Sequence, residues 1–97
     1  MYLYNVSVIV EESEGTAVRC LLVSQVEFAR DSGLTVRLLE LLDSPHEGIT
    51  FSLQLEAANS DVVADFQTKH LALLHAKIND NHEGKVVYFD SLMQQIG

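Results

Sequence analysis

The chain has 97 residues, of which 47% are hydrophobic, and a formal net charge of −8 at pH 7. This length predicts a single domain over residues 1–97, and this hydrophobic content is typical of a folded chain rather than a disordered one. With only 6 basic residues and no basic cluster, the sequence argues against nucleic acid and membrane partners, because both favour Lys and Arg.

Cys20 is the only cysteine, so no intrachain disulfide can form. The N-terminus shows no secretory signal peptide, and no apolar run is long enough to cross a bilayer. Together these features predict a cytoplasmic protein. Cys20 lies at the edge of a predicted helix, where a cysteine is more often a small buried apolar residue than a nucleophile.

The first predicted strand, Tyr2 to Glu11, alternates strictly between two faces. One face is wholly apolar and consists of Tyr4, Val6, Val8 and Val10. The other face is mixed, with Asn5 and Ser7 between Leu3 and Ile9. This pattern favours a central strand with one face packed on the core and the other face covered by a more polar environment.

A helix is predicted next, with Ser13 as its N-cap and its end near Arg30. Gly33 then suits the left-handed C′ position that terminates many helices. The apolar arc of this helix comprises Ala17, Val18, Leu21, Leu22, Val26, Phe28 and Ala29. Gln25 lies in the middle of the arc, where a polar side chain is unexpected.

Leu34 to Leu42 and Ile49 to Ala57 are predicted to be the second and third strands, joined by a turn over residues 43–48. The third strand alternates most clearly, with Ile49, Phe51, Leu53 and Leu55 on one face and Thr50, Ser52, Gln54 and Glu56 on the other. The short connection predicts an antiparallel hairpin.

Asn59-Ser60-Asp61 predicts the start of a second helix that runs to about Asn79. On a helical projection His70 lies near the centre of the apolar arc, whereas His75 lies opposite and is expected to face solvent. Lys85 to Ser91 is the fourth predicted strand, and residues 92–97 show no clear pattern.

The element order is therefore β-α-β-β-α-β, which predicts the ferredoxin-like α+β fold. In this arrangement both helices cover one face of a four-stranded antiparallel sheet, because the crossovers are right-handed. The first strand is expected to lie centrally, beside the third and the fourth.

The sheet face that the helices leave uncovered carries both apolar and polar side chains. Such a face suits a symmetric pairing of two sheets into a dimeric α+β barrel. Its predicted members are Leu3, Asn5, Ser7, Ile9, Thr35, Arg37, Leu39, Leu41, Thr50, Ser52 and Gln54. In a homodimer Asn5, Ser7, Arg37, Ser52 and Gln54 would line the space between the sheets and could bind a small molecule. The alternative is that these polar groups hydrogen-bond one another across the interface.

His70 is a further candidate ligand-binding residue, because an imidazole is easily tuned. The alternative is a core histidine whose hydrogen-bonding partner is Gln25. Metal-capable residues occur in two predicted turns without recognisable ligand spacing: His46, Glu47, Asp80, His82 and Glu83. They are expected to be solvated, and without a phosphate-binding glycine loop no cofactor or metal is predicted.

Three strand segments carry a family resemblance: Tyr4 to Val8, Thr50 to Leu55 and Tyr88 to Ser91. They resemble strands of a family of short bacterial proteins of unknown function, which is similar in shape to the dimeric α+β barrel proteins. The resemblance implies the fold and dimerisation. This chain differs from typical members in three ways. It has no tryptophan, it has Gln25 near the position where members carry a histidine in the first helix, and it has Asp90 where members carry an arginine.

Two functional hypotheses follow. The first is a non-catalytic homodimeric module that binds a ligand or another protein. The alternative is a small monooxygenase-like or isomerase-like enzyme of the dimeric α+β barrel type. The resemblance of that fold to haem-degrading monooxygenases implies a pairing of Asn5 with His75 or His70, with Phe66 as the nearest aromatic residue to the indole that those enzymes use.

Overall fold

The structure, a computed structural model, describes residues 1–45 and 47–97. Its elements confirm the predicted βαββαβ order of a ferredoxin-like fold. In chain order they are β1 (Tyr2–Val10), a 3-10 turn (Glu12–Glu14), α1 (Gly15–Asp31), β2 (Thr35–Leu41), β3 (Ile49–Ala57), α2 (Ser60–Phe66), a π-helical turn (Gln67–Leu71), α3 (Ala72–His82) and β4 (Val86–Gln94).

The four strands form one antiparallel sheet in the order β2-β3-β1-β4. β1 pairs along its whole length with both neighbours, so that Val6 lies opposite Leu53 on one side and Asp90 on the other. This central position of β1 is the one that its two-sided alternation predicts, because both of its edges are hydrogen-bonded.

The core lies between one face of this sheet and the helices. All four predicted inward residues of β1 are at most 2% exposed. Fully buried side chains from every layer meet them, among them Val18, Leu22, Leu53, Leu55, Phe66, Leu74 and Ile78. Each such side chain contributes about 1.5–3 kcal/mol by leaving water, so this layer dominates the stability of the fold.

The start of α1 differs from its prediction. Ser13 lies in the 3-10 turn, and α1 begins at Gly15 with no side-chain cap on its N-cap residue, Glu14. A Cβ at Gly15 would meet the Ile49 side chain, so the first residue of α1 packs closely against β3. The helix therefore begins at a buried glycine and not after a capping hydroxyl. The helix end is as predicted, with Gly33 at φ +88°.

Two members of the predicted α1 arc are not in the core. Ala17 is exposed, and Phe28 is 49% exposed. The buried side chains of α1 form a narrower stripe that includes Val18, Leu22 and Ala29, together with Gln25. The helix therefore contacts the sheet along a stripe rather than along the broad arc that the sequence pattern suggested.

The start of the second helical segment is confirmed. Asn59 is the N-cap of α2, and its Oδ1 accepts a hydrogen bond from the Val62 backbone N–H at 3.1 Å. This satisfies one of the N–H groups that a helix leaves without a partner in its first turn.

We expect Asn59→Ala to lower the free energy of unfolding by about 1 kcal/mol, because it removes this cap. Urea denaturation followed by circular dichroism measures the change. Asn79→Ala, at an exposed position inside α3, is the control and should be neutral or slightly stabilising, since alanine is the better helix former. Equal losses in both variants would contradict a capping role.

The segment 60–82 contains a π-helical turn over Gln67–Leu71. The Thr68 hydroxyl donates to the Ala64 carbonyl at 3.0 Å, which supplies a side-chain partner for that carbonyl inside the helix. The wider turn allows two consecutive residues, His70 and Leu71, to be buried together.

The C-terminal third departs most from the sequence prediction. α3 continues to His82 rather than ending near Asn79. β4 continues to Gln94, because its last residues pair with the start of β1, with Met93 opposite Leu3. In the described parts of the chain, no helix has the length and apolar character needed to cross a membrane.

Candidate functional site on the open sheet face

The open sheet face is the surface of the sheet opposite the helices. It consists of Leu3, Asn5, Ser7 and Ile9 from β1, Thr35, Arg37, Leu39 and Leu41 from β2, Thr50, Ser52, Gln54 and Glu56 from β3, and Val87, Phe89, Ser91 and Met93 from β4. These residues share a face because side chains alternate along each strand and the register places them opposite one another.

A polar strip runs along the middle of this face on β1 and β3. The Ser52 hydroxyl donates to Asn5 Oδ1, and Asn5 Nδ2 donates to the Ser7 hydroxyl at 3.2 Å. Gln54 Nε2 donates to Ser52 Oγ at 3.3 Å. Four of the predicted ligand-binding residues therefore lie together, and they hydrogen-bond one another within a single chain.

Arg37 lies beside this strip, opposite Gln54 in the β2–β3 register. Its guanidinium donates to Glu56 Oε1 and forms an ion pair with it. Glu56 belongs to the predicted outward face of β3, but nothing in the residue pattern indicated that it would neutralise Arg37. Within the described strands, these two are the only charged side chains on the open face, and they cancel each other.

A cavity of about 290 Å³ lies at one end of the open face. Arg37 and Gln54 line it together with the apolar side chains of Leu3 and Met93. Its volume is at the lower limit of typical ligand pockets, roughly 300–1,000 Å³. In one chain it can therefore hold only a small molecule.

Apolar side chains flank the polar strip on both edge strands. The exposed fractions are 45% for Leu39 and 50% for Leu41 on β2, and 53% for Val87, 59% for Phe89 and 43% for Met93 on β4. Sequence reasoning identified the two leucines but missed the β4 residues. Val87 and Phe89 alternate with Tyr88 along β4. Assigning the inward face of β4 from the sequence would have placed these two residues on the open face.

Thr50 departs from its prediction as an open-face residue exposed to solvent. It is only 5% exposed, and its hydroxyl lies 3.0 Å from that of Ser44 in the hairpin loop. Ser44, in the connection between β2 and β3, therefore covers Thr50 at this end of the open face.

His70 lies on the other side of the sheet, among the helices. Gln25 Nε2 donates to His70 Nδ1 at 3.1 Å, which confirms the predicted partner. The imidazole stacks on Phe66, with ring centroids 5.6 Å apart, and meets the ring edge of Phe28 at 5.0 Å. At 4% exposure, His70 is a paired core histidine in this chain.

The prediction that His75 is solvated is wrong. Its ring packs against Tyr88 of β4, with centroids 4.3 Å apart, and its Nε2 is buried without a hydrogen-bond partner among the described residues. Nearby, the Tyr4 hydroxyl donates to Asp90 Oδ2 at 2.6 Å. Sequence reasoning did not identify this group of aromatic and titratable side chains between α3 and β4.

Burial shifts the pKa values in this group. It lowers the pKa of His75 below its usual 6.5, and Asp90 opposes this effect only in part. The pKa of Tyr88 is raised above 10 by burial, and that of Tyr4 is raised by burial first and then by the hydrogen bond to Asp90. Both phenols therefore remain protonated at neutral pH.

We expect His75 to make the fold less stable as the pH falls below about 6.5. The unfolded chain then binds a proton that the folded chain, with its lowered His75 pKa, does not, so protonation favours unfolding. Urea denaturation of the wild type and His75→Phe between pH 5 and 8 measures the effect. The stability difference between them should change with pH in favour of the variant as the pH falls, and a pH-independent difference would contradict the lowered pKa.

Asn5 and the two histidines lie on opposite sides of the sheet. Asn5 belongs to the open face, whereas His70 and His75 contact side chains on the helix-covered side. In one chain, therefore, neither histidine shares a site with Asn5, and the expected pairing of a haem-degrading monooxygenase is not formed.

The metal-capable residues are distributed differently from the prediction. Asp80 and His82 belong to α3 rather than to a turn, and His82 is buried, with Nδ1 3.5 Å from Glu14 Oε2. His46 lies outside the described residues. Among the described residues, no three His, Cys, Asp or Glu side chains converge on a metal-sized site. Cys20 is exposed, which corrects its expected burial.

The chain belongs to the family described as domain of unknown function (DUF4286), whose model matches residues 1–96. This agrees with the predicted resemblance to a family of unknown function. A comparison with curated proteins gives no match.

Several solved structures share the fold. A candidate antibiotic biosynthesis monooxygenase from Deinococcus radiodurans has a TM-score of 0.77 at 12% identity, covering 100% of this chain and 94% of that one. One from Nitrosomonas europaea has a TM-score of 0.74 at 18% identity, with both chains fully covered. The de novo designed protein Foldit4 reaches 0.67 at 5% identity, covering 98% of each chain. These identities show the fold alone, and a designed neighbour illustrates that this fold implies no particular activity.

Proposed function

We propose that this DUF4286 chain is a non-catalytic homodimeric interaction module whose two copies pair through their open sheet faces. One observation carries the proposal: the polar strip satisfies itself within the chain, while the apolar flanks on β2 and β4 stay 43–59% exposed. Exposed apolar surface of this extent on a small chain is typical of an interface.

The charge distribution favours a second copy as the occupant. The chain carries a net charge of −8, yet the charged side chains on the open face, Arg37 and Glu56, neutralise each other. Two copies can therefore meet face to face without repulsion at the contact, whereas a strongly charged partner finds no complementary charge there.

The area of the face suits a small dimer contact. Strands of 7–9 residues span roughly 23–30 Å, and four of them side by side span roughly 14–19 Å. The flat footprint, roughly 320–570 Å², is below the roughly 800 Å² that each partner buries in a standard protein interface and corresponds to the small end of specific contacts. A symmetric pairing would place polar strip over polar strip and cover the apolar flanks.

Pairing would also enclose the cavity at the end of the face. Arg37 and Gln54, which line the cavity, would then be the ligand-binding residues of a closed chamber, and Asn5, Ser7 and Ser52 would continue its wall along the neighbouring polar strip. The ligand class is a small polar molecule that accepts hydrogen bonds. The exposed thiol of Cys20 suits the reducing cytoplasm, where we place this module.

The alternative, a small monooxygenase-like enzyme, draws support from the named activity of the structural neighbours and from the unpartnered His75 Nε2 beside Tyr88. Such an enzyme needs an imidazole that reaches an open pocket. None of the described residues that line the cavity on the open face is a histidine, and for this reason we favour the interaction module.

Sedimentation equilibrium of the untagged protein tests the proposal. We expect a single species of twice the chain mass at micromolar concentration. A monomer at 100 μM, roughly the weakest affinity of a specific transient contact, would overturn it. Native mass spectrometry of the same sample shows whether a small molecule accompanies the dimer.

A further inference from the structure

A second cavity, of about 240 Å³, lies between α1 and the edge strand β2, away from the polar strip. Its apolar part is formed by Val23, Val26, Leu38 and Phe51. Val26 and Phe51 belong to the core, whereas Val23 is 40% exposed at the mouth. The cavity therefore offers an apolar floor that is open to solvent at one side.

Two positive and two negative side chains surround this floor. Two of the three arginines of the chain, Arg19 and Arg30, line the cavity, together with Glu27 and Glu40. Arg19 and Glu40 are only loosely paired, at 3.8 Å, and both are largely exposed. Such a pair is worth little in water, so a ligand can replace it at small cost.

Arg30 is the group with a fixed position. Its Nε donates to the Val36 carbonyl at 2.9 Å, which orients the guanidinium at one end of the cavity. Among the described residues, no side chain occupies its terminal nitrogens. A guanidinium held in this way presents two parallel N–H donors, the geometry that binds a carboxylate bidentately.

We propose that this cavity binds a small zwitterion with an apolar side chain, of the chemical class of the aliphatic α-amino acids. Arg30 receives the carboxylate, Glu27 or Glu40 receives the ammonium group, and the side chain lies on the apolar floor. The volume of about 240 Å³ is just below the range of typical ligand pockets, roughly 300–1,000 Å³, which suits a small molecule such as valine or leucine. The site lies beside the open face and shares Leu39 with it, but the groups proposed to bind the ligand, Arg30, Glu27 and Glu40, do not belong to that face.

Heteronuclear NMR titration of the full chain with L-leucine tests the proposal. We expect saturable shifts at Val23 and Arg30, with a dissociation constant below about 1 mM. 4-Methylpentanoate is leucine without its ammonium group and isopentylamine is leucine without its carboxylate, so each should bind at least about tenfold more weakly. No saturable shifts with leucine, or equal binding of 4-methylpentanoate, would overturn the zwitterion site.

Two variants locate the site. Arg30→Gln should weaken leucine binding at least about tenfold, because it removes a charged hydrogen-bond donor, whereas Lys77→Gln removes an equal charge at an exposed position on α3 and should leave it unchanged. Val23→Phe fills the mouth while leaving every charged group in place, and it should abolish binding even if Arg30→Gln fails to fold. Retained binding in Val23→Phe would overturn the location.

Discussion

Phe89→Asp is expected to weaken self-association of this chain by about three orders of magnitude. Phe89 is 59% exposed on the open face, where we propose that the second copy packs. Two-fold symmetry buries it twice, and each lost contact costs about 2 kcal/mol. An unpaired carboxylate in the same place adds a desolvation cost. The two lost contacts alone amount to about 4 kcal/mol, which corresponds to the expected change in dissociation constant, and sedimentation equilibrium measures it.

Adjacent leucines at the end of β2 provide the matched control. Leu41 is on the open face and 50% exposed, whereas Leu42 follows the strand and is 89% exposed. Leu41→Asp should therefore weaken the dimer, and Leu42→Asp should not. If Leu41→Asp and Phe89→Asp leave the dimer as intact as Leu42→Asp does, the chain pairs through a different surface.

The strands at the centre of the sheet could be predicted from sequence almost to the residue. β1 and β3 alternate strictly, and each is paired on both sides, so the local pattern and the tertiary environment agree. β4 could not be delimited in this way. Its last residues, up to Gln94, have no periodicity of their own and are strand because β1 pairs with them.

The polar strip could likewise be predicted, because strand alternation alone places Asn5, Ser52 and Gln54 on one face. That these groups could hydrogen-bond one another was one of the two expectations. What could not be predicted is that they do so within one chain, since that depends on the β1–β3 register, in which Asn5 lies opposite Gln54. The same limit applies to Arg37, because its partner Glu56 lies on the adjacent strand β3 and is distant along the sequence.

The predicted solvent exposure of His75 was wrong for a different physical reason. An ideal projection of the second helical segment assumes 3.6 residues per turn throughout. The π-helical turn at Gln67–Leu71 adds about one residue and shifts everything after it by roughly 100° relative to that projection. His75 follows this turn and packs against Tyr88 instead of facing solvent.

We expect Phe66→Ala to lower the free energy of unfolding by about 3–5 kcal/mol, the usual cost of removing a buried aromatic side chain. Phe66 is 1% exposed, and its ring joins two parts of the core. It meets the ring of Tyr4 edge-on at 6.3 Å and stacks on His70 at 5.6 Å. The melting temperature should fall by more than about 12 °C for a chain of this size.

Phe28→Ala is the matched control, because Phe28 contacts the same imidazole from the solvent side. Its ring centroid is 5.0 Å from that of His70, but the side chain is 49% exposed, so it should cost no more than about 1 kcal/mol. Both variants are compared with the wild type at one protein concentration, since the stability of a dimer depends on it. Equal losses in Phe28→Ala and Phe66→Ala would contradict the prediction, because they would show that the burial of the Phe66 ring does not set its cost.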